Sequence, residues 1–251
     1  MSKRLVLPGV TLCAATSVNL EATLAALRQC LDMCEFGDAI LFTDQPIERL
    51  PTGLRLVEIG NLSEAAAYSH FMLEELVHHV RTDHALVVQW DGFISSPDAW
   101  DREFLEYDYI GAVWPQFSDS SNVGNGGFSL RSKRLLEACL DPRFIARHPE
   151  DVVICRVNRP LLEVEYGIRF ADAAVARKFS FEREPADGPT FGFHGVFNMP
   201  SLLGRDRFWQ AYESLEDRRS VFHDAWPIAA ELGPKRGLTL LRDYFGFKLA
   251  R

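Results

Sequence analysis

The stretch Ala85-Leu-Val-Val-Gln-Trp-Asp-Gly-Phe93 restricts the folds open to this chain more than any other. Ala85 to Val88 is a short apolar run containing two valines, the pattern of a strand covered on both faces. Such a strand needs a sheet with helices on either side of it. It runs directly into Gln89-Trp90-Asp91-Gly92, which sets a carboxylate beside a glycine at the strand's carboxyl end. In open α/β sheets ligands bind beyond that end of the strands. The junction reads in two ways. It is a site for a divalent cation or polar ligand, or it is an Asp-Gly turn, a strong turn signal by itself.

The residues before it fit the same architecture. Leu5 to Ala15 reads as a strand with a kink at Pro8-Gly9. Asn19 stands where a helix N-cap would, and Leu20, Thr23, Leu24, Leu27, Leu31 and Cys34 recur at helical spacing up to Phe36-Gly37. Asp38 to Thr43 and Leu54 to Ile59 read as strands, and a helix beginning at Ser63 carries Tyr68, Phe71, Met72, Leu76 and Val80. The order is β-α-β-β-α-β, a nucleotide-binding type of α/β half. Tyr68 lies on the helix that precedes the central strand, and His78, His79 and His84 read as surface residues.

Beyond Asp91 the spacing predicts a short helix capped by Ser96 with Pro97 in its first position. It predicts a strand over Tyr109–Trp114 stopped by Pro115, and a glycine-rich turn, Val123-Gly-Asn-Gly-Gly127, leading into a strand. Ser132 caps the next helix. Glu150 and Asp151 fall at the start of a helix over Val152–Leu162, where carboxylates suit the helix dipole. Phe191-Gly-Phe-His-Gly195 returns an aromatic strand with a histidine between glycines. Gly124, Gly126 and Gly127 either let a backbone approach a ligand closely or supply positive φ in a hairpin. The chain is expected to be a single domain over 1–251, with 200–251 as a helical C-terminal extension.

Charge narrows the partners. With 27 basic and 35 acidic residues the net charge is −8, which argues against nucleic acid. Five scattered cysteines suit reduced thiols in a cytoplasm better than a disulfide framework. Leu5 to Val10 is too short for a signal peptide, and no apolar run approaches a membrane span. The expected location is cytoplasmic, with peripheral attachment to the inner membrane surface through 235–251. There basic residues interleave with large apolar ones, as in an amphipathic segment on an anionic bilayer or in a terminal helix docked on the domain.

Four polar clusters thus stand at strand or helix ends: Asp91, the 124–127 turn, Glu150-Asp151 and His194. Hard oxygen and imidazole ligands from Asp91 and His194 suit Mn2+ or Mg2+, with diphosphate oxygens completing the shell. A separate carboxylate within reach of an acceptor hydroxyl can act as general base. QWDGF, YDYIGAVWP, VGNGGFSLRS, HPEDVVICR, RFADAAVARKFSFE and FGFHG, taken in order, resemble a bacterial domain family of unknown function grouped with GT-A glycosyltransferases. The resemblance spans residues 8 to 198. It implies a GT-A-like, Rossmann-related mixed sheet flanked by helices. It also implies transfer of a sugar, hexosyltransferase type, from a nucleoside diphosphate sugar to a glycan or lipid-linked acceptor, inverting, in bacterial surface polysaccharide synthesis.

By that resemblance Asp91 is the last acid of an Asp-x-Asp motif, Asp151 the catalytic base and His194 a metal ligand. Glu150 is the rival for the base. Gln89, Trp90, Asp91, Trp114, Asn125, Gly126, Gly127 and Arg131 are assigned to donor and acceptor binding. The chain departs from the motif at Gln89, which replaces the first acid; glutamine is a poor cation ligand. In a metal-free version Arg131 or Lys178 would hold the diphosphate. Two other functions stay open: a non-catalytic nucleotide-sugar binding module, and a nucleotidyltransferase or nucleotide-sugar hydrolase.

Overall fold

Strand β1 (Leu5–Ala15) is the axis of a six-stranded sheet in a computed structural model that describes residues 4–249. Its register with its neighbour shifts between Leu7 and Thr11, at Pro8-Gly9, because proline has no N–H to give the ladder. Helix α1 (Leu20–Met33) follows from Asn19, which caps it from a left-handed backbone (φ 55°). The helix stops at Met33, earlier than its apolar spacing suggests. Cys34 already belongs to β2 (Cys34–Thr43), paired with Leu5. Gly37 explains the abrupt change: a Cβ there would lie 2.0 Å from the Pro8 carbonyl oxygen, so β2 closes onto the irregular part of β1 only without a side chain.

β3 (Arg55–Glu58) is the edge strand, with Arg55 bridging to Asp38 at 2.8 Å. Helix α2 (Ala65–His70) continues through a wide π turn over Phe71–Glu75 and a 3-10 turn over Leu76–His78. β4 (His84–Val88) is buried along its whole length, as the apolar run requires. His84 belongs to this strand and is 8% exposed, so it is no surface residue. His79 packs edge-on to Phe42 with centroids 5.1 Å apart. Each large apolar side chain fully buried here, such as Leu12 or Leu86, contributes about 1.5–3 kcal/mol.

In the second half of the sheet one strand runs the other way. β5 (Tyr109–Ile110) and β6 (Phe128–Ser132) pair antiparallel, and β6 lies antiparallel to β4. The strand expected over Tyr109–Trp114 is two residues long, because beyond it the chain bends away and makes an isolated bridge from Val113 to Val123. Asp108 pins this region, accepting from Ser132 Oγ (2.6 Å), Arg134 Nη2 (3.0 Å) and the Arg169 N–H (2.8 Å). Ser132 Oγ caps α3 (Lys133–Ala138) by accepting the Leu135 N–H. Ser96 makes no such bond, and Pro97–Ala99 is a 3-10 turn. The sheet order is β3-β2-β1-β4-β6-β5: the α/β class, with the expected mixed sheet and flanking helices.

The helix expected over Val152–Leu162 is broken. α4 (Glu150–Val152) passes into a π turn over Val153–Val157, and α5 (Arg159–Tyr166) starts afresh after Asn158. Asn158 bonds across to Ile145, accepting its N–H at 2.9 Å, and a side chain committed elsewhere favours a helix end over a helix interior. α6 (Ala173–Phe179), capped by Asp172, leads into β7 (Ser180–Phe181), which pairs parallel to β8 (Gly192–Phe193).

These elements form one compact unit, Met1–His194; the second, Gly195–Arg251, is helical. It contains α7 (Met199–Leu203), α8 (Arg205–Ser214), α9 (Arg219–His223), α10 (Ala225–Leu232) and α11 (Pro234–Leu249). In α11 Leu240 is buried, and a Cβ at Gly237 would lie 2.4 Å from the Ala229 carbonyl oxygen, so the helix docks tightly on α10. Leu238, Phe245 and Leu249, with Trp226 of α10, stay exposed. Ala250 and Arg251, the end of the amphipathic segment, lie outside the described residues. No helix among the described residues is long and apolar enough to cross a membrane.

Candidate functional site

Where β4 ends, the Gln89 N–H donates to the Gly92 carbonyl and the Gly92 N–H to the Gln89 carbonyl, both at 3.1 Å. Trp90 and Asp91 form the corner of this tight turn. The turn and ligand readings of Asp-Gly are therefore compatible: the turn is what aims the carboxylate. Asp91 is 6% exposed, and its Oδ1 lies 3.6 Å from His194 Nε2. Gln89 Nε2 donates to the Tyr68 hydroxyl at 2.9 Å, which turns Gln89 Oε1 towards His194 Nε2, 3.3 Å away. Tyr68 serves as the anchor of that amide.

The Asn125-Gly126-Gly127 turn joins the other clusters. Asn125 has a left-handed backbone (φ 69°), is buried, and its carbonyl accepts the Tyr109 hydroxyl at 3.1 Å. Its Oδ1 accepts the Gly127 N–H at 3.1 Å, while Nδ2 lies 3.1 Å from His194 Nδ1. The Gly126 N–H donates to Asp151 Oδ2 at 3.1 Å. None of Gly124, Gly126 and Gly127 has positive φ. They are glycines because side chains of this protein fill the Cβ positions. A Cβ at Gly126 would lie 2.1 Å from Glu150 Oε1, one at Gly127 2.1 Å from His194 Nε2, and one at Gly124 2.1 Å from the Trp114 ring.

Glu150 and Asp151, adjacent in sequence, have different surroundings. Glu150 is buried, with Oε1 accepting from Arg131 Nη2 at 3.2 Å and Oε2 from Ser69 Oγ at 3.4 Å. Arg131 is completely buried: its Nε donates to Ser129 Oγ at 3.0 Å and Nη2 also reaches the Gly126 carbonyl at 3.3 Å. Its guanidinium carbon sits 5.6 Å from the centre of the Tyr109 ring. Arg131 thus braces the turn from below, and with no exposed surface it faces protein where a donor-binding residue was expected. Lys178 is exposed, with its Nζ 4.0 Å from Glu103. Asp151 is half-buried and takes the Val152 N–H on Oδ1 at 2.8 Å. Burial and then the Glu150 charge raise its pKa, against the Val152 and Gly126 N–H groups and Arg131. That direction makes a carboxylate a better proton acceptor.

His194 follows β8 and is enclosed by carboxylates. Its Nδ1 lies 3.4 Å from Glu182 Oε1. Burial disfavours the charged ring, but Asp91 and Glu182 outweigh it and push the pKa up to about 10. Burial likewise works against a charged Glu182, yet hydrogen bonds from His194 and Asn125 hold its carboxyl below the usual range. Sequence reasoning missed Glu182. Its signal is the pairing of two aromatic runs that each end in a polar residue: β7–β8 register sets Phe181 opposite Phe193, which makes Glu182 and His194 neighbours.

Asp91 Oδ1 and Gln89 Oε1 both approach His194 Nε2, at spacings close to the roughly 3 Å that separates adjacent ligands of an ion bound at about 2.1 Å. No group of three His, Cys, Asp or Glu among the described residues is arranged to hold a metal ion, so the amide oxygen is the third candidate donor. One carboxylate, one imidazole and one amide oxygen fit a hard divalent cation whose remaining positions go to ligand oxygens and water. Trp90 is half-buried at the turn corner. Trp114 is 6% exposed and packs on Phe117 with centroids 5.7 Å apart, a wall residue more than a stacking platform.

Among solved structures the chain is similar to a mannosyltransferase, PcManGT from Pyrobaculum calidifontis, in complex with GDP-Man and Mn2+. The identity is 13% and the TM-score 0.44, over 99% of this chain and 81% of that one. It is also similar to the glycosyltransferase GlyE of Streptococcus pneumoniae TIGR4, with 13% identity and TM-score 0.42 over 95% of this chain. The apo form of GlyE gives 12%, 0.44 and 98%. The chain spans 63% and 64% of the two GlyE chains. No curated protein sequence matches it. Residues 52–194, more than half of the chain and including every residue of the site just described, match one family model, and the chain belongs to that family, described as "Protein of unknown function (DUF5672)".

Proposed function

We propose that this protein is a GT-A-like glycosyltransferase that moves a sugar from a nucleoside diphosphate sugar to a hydroxyl of a glycan or lipid-linked acceptor, with inversion. The observation that carries the reading is the meeting of all four clusters at one turn: Asn125 at His194, the Gly126 N–H on Asp151, and Asp91 across from His194. The proximity of an activated carboxylate to a candidate cation site is what inverting sugar transfer needs.

Asp151 is the base that takes the acceptor hydroxyl proton, its raised pKa suited to that task. Glu150, tied to Arg131, keeps the Asp151 carboxyl in place and supplies part of the charge that raises it. Asp91 and His194, with Gln89, are the residues that would hold Mn2+ or Mg2+. When bound, the ion supplies Lewis-acid neutralisation of the departing diphosphate. Trp90 and the 125–127 turn line the donor side. A role in surface polysaccharide synthesis would place the protein in the cytoplasm at the inner membrane surface, with α11 as the contacting helix; its exposed apolar stripe and basic residues support this part of the reading.

The test pairs binding with turnover. A thermal-shift panel of UDP, GDP, CMP and dTDP, each with and without Mn2+, should give a metal-dependent shift with one nucleotide. Asp151→Asn should then lower transfer from that donor by roughly 100-fold or more while the shift persists. Unchanged turnover removes Asp151 from the base role, and no shift with any nucleotide removes the donor site. Donor binding without product under any acceptor would favour the binding-module alternative, which the Gln89 departure supports.

A further inference from the structure

We propose that Glu182 is a positioning residue: it accepts a hydrogen bond from His194 Nδ1–H and keeps that proton in place, so that a cation entering beside Asp91 and Gln89 displaces the other proton, on Nε2, and meets its lone pair. This rests on the reading of Asp91 and His194 as cation ligands and goes beyond it, because it decides which ring nitrogen is free.

An imidazole that binds a cation through one nitrogen carries its proton on the other, and the partner of that proton fixes both tautomer and ring plane. Glu182 Oε1 reaches Nδ1 at 3.4 Å and Asn125 Nδ2 at 3.1 Å. They favour opposite tautomers. An amide NH2 donates to an unprotonated Nδ1, which would leave the proton on Nε2 and close the ring to a cation. A carboxylate accepts from Nδ1–H and leaves Nε2 open. Asn125 is not an acceptor here, since its Oδ1 takes the Gly127 N–H at 3.1 Å and its NH2 faces the ring. Its NH2 also bonds to Glu182, so the carboxylate is the acceptor for both the amide and the ring N–H.

The rest of the ring is fixed to match. Gly127 lies against Nε2 so closely that a Cβ would stand 2.1 Å from it, and Gly92 against Cδ2 at 2.7 Å. On the Nε2 side stand Asp91 Oδ1 at 3.6 Å and Gln89 Oε1 at 3.3 Å, both oxygens. The order carboxylate, imidazole, open position is the arrangement in which an outer carboxylate raises the ligand strength of a histidine. Glu182 touches neither donor nor acceptor in this scheme. Its effect passes through His194.

The experiment titrates Mn2+ into the full-length protein with the nucleoside diphosphate that gives the thermal shift, reading free Mn2+ by its EPR signal. It compares the native chain with Glu182→Gln, which keeps the shape and removes the charge. Glu182→Gln should weaken Mn2+ binding by roughly 10- to 100-fold, leaving the metal-free nucleotide shift unchanged. Equal Mn2+ affinity in the two chains overturns the role of Glu182 while the cation reading stands. No Mn2+ uptake by the native chain overturns both. A second measurement needs no variant. In two-bond 15N–1H spectra of the native chain with Mg2+ and nucleotide, His194 should show its proton on Nδ1. A proton on Nε2 there overturns the proposal even where Glu182→Gln fails to fold.

Discussion

Asp151 and His194 show how neighbours set the chemistry of a single residue. Both are shifted against their ordinary ranges, Asp151 by burial and Glu150, His194 by two carboxylates that overcome burial. For His194 the folded-state value of about 10 lies above the unfolded value of 6.5, so the charged ring stabilises the folded state. That contribution is present in full below pH 6.5 and is lost as pH rises from there through about 10. In metal-free buffer the Tm of the native chain should therefore fall between pH 7 and 10 more steeply than that of His194→Gln. Parallel curves for the two chains would show that the ring carries no such charge. The same residue scale explains why the four clusters could be read as ligand groups in the sequence while Glu182 could not. Asp91 and His194 sit beside glycines that mark special backbone, whereas Glu182 is marked only by its pairing partner across β7–β8.

At the scale of elements, the turn at 124–127 matters more than any helix. Its glycines are dictated by packing: Glu150, His194 and Trp114 stand where their side chains would be. Gly127→Ala should destabilise the fold by about 1–3 kcal/mol, the usual cost of forcing atoms into a filled site, and should abolish the Mn2+-dependent nucleotide shift by displacing His194. Gly188→Ala, where an added Cβ meets nothing within 4 Å, is the control and should be neutral to within about 0.5 kcal/mol. Chemical denaturation checks both. Equal stability of the two variants would contradict the packing role. The strands were legible because short buried strands leave apolar runs without turn residues. The helix ends were less so: α1 stops at Met33 because strand pairing claims Cys34, and α5 starts late because Asn158 is claimed by Ile145. Both competitors lie far away in sequence or on another segment, where local periodicity carries no trace of them.

At the scale of the whole molecule, charge and apolar surface are unevenly shared. The chain carries −8 overall, yet α11 holds Lys235, Arg236, Arg242 and Lys248 against a single acid, Asp243. Arg236 pairs with Asp206 at 2.7 Å and Arg242 with Asp243 at 3.5 Å, and Lys235 and Lys248 share the helix with the exposed Leu238, Phe245 and Leu249. An apolar stripe edged by basic residues suits an anionic interface. Co-sedimentation with phosphatidylglycerol vesicles should exceed that with phosphatidylcholine vesicles and fall several-fold in Leu238→Glu/Phe245→Glu. Equal recovery with both lipids would remove α11 from membrane contact, and a change of oligomeric state in the double variant would assign the stripe to a second copy.

The sequence by itself determined the alternation of strands and helices, the carboxylate at the end of β4 and the residue types of the proposed cation and base site. These follow from local rules: which side chains a buried strand tolerates, which dipeptides turn, which groups coordinate or accept protons. Only the tertiary structure decided that β6 runs antiparallel beside β4 and so brings the Asn125 turn to Asp91, that Arg131 braces Glu150 from within, and that Glu182 faces His194. Pairing direction and burial depend on contacts between residues dozens of positions apart, and their energies are settled only when the sheet closes.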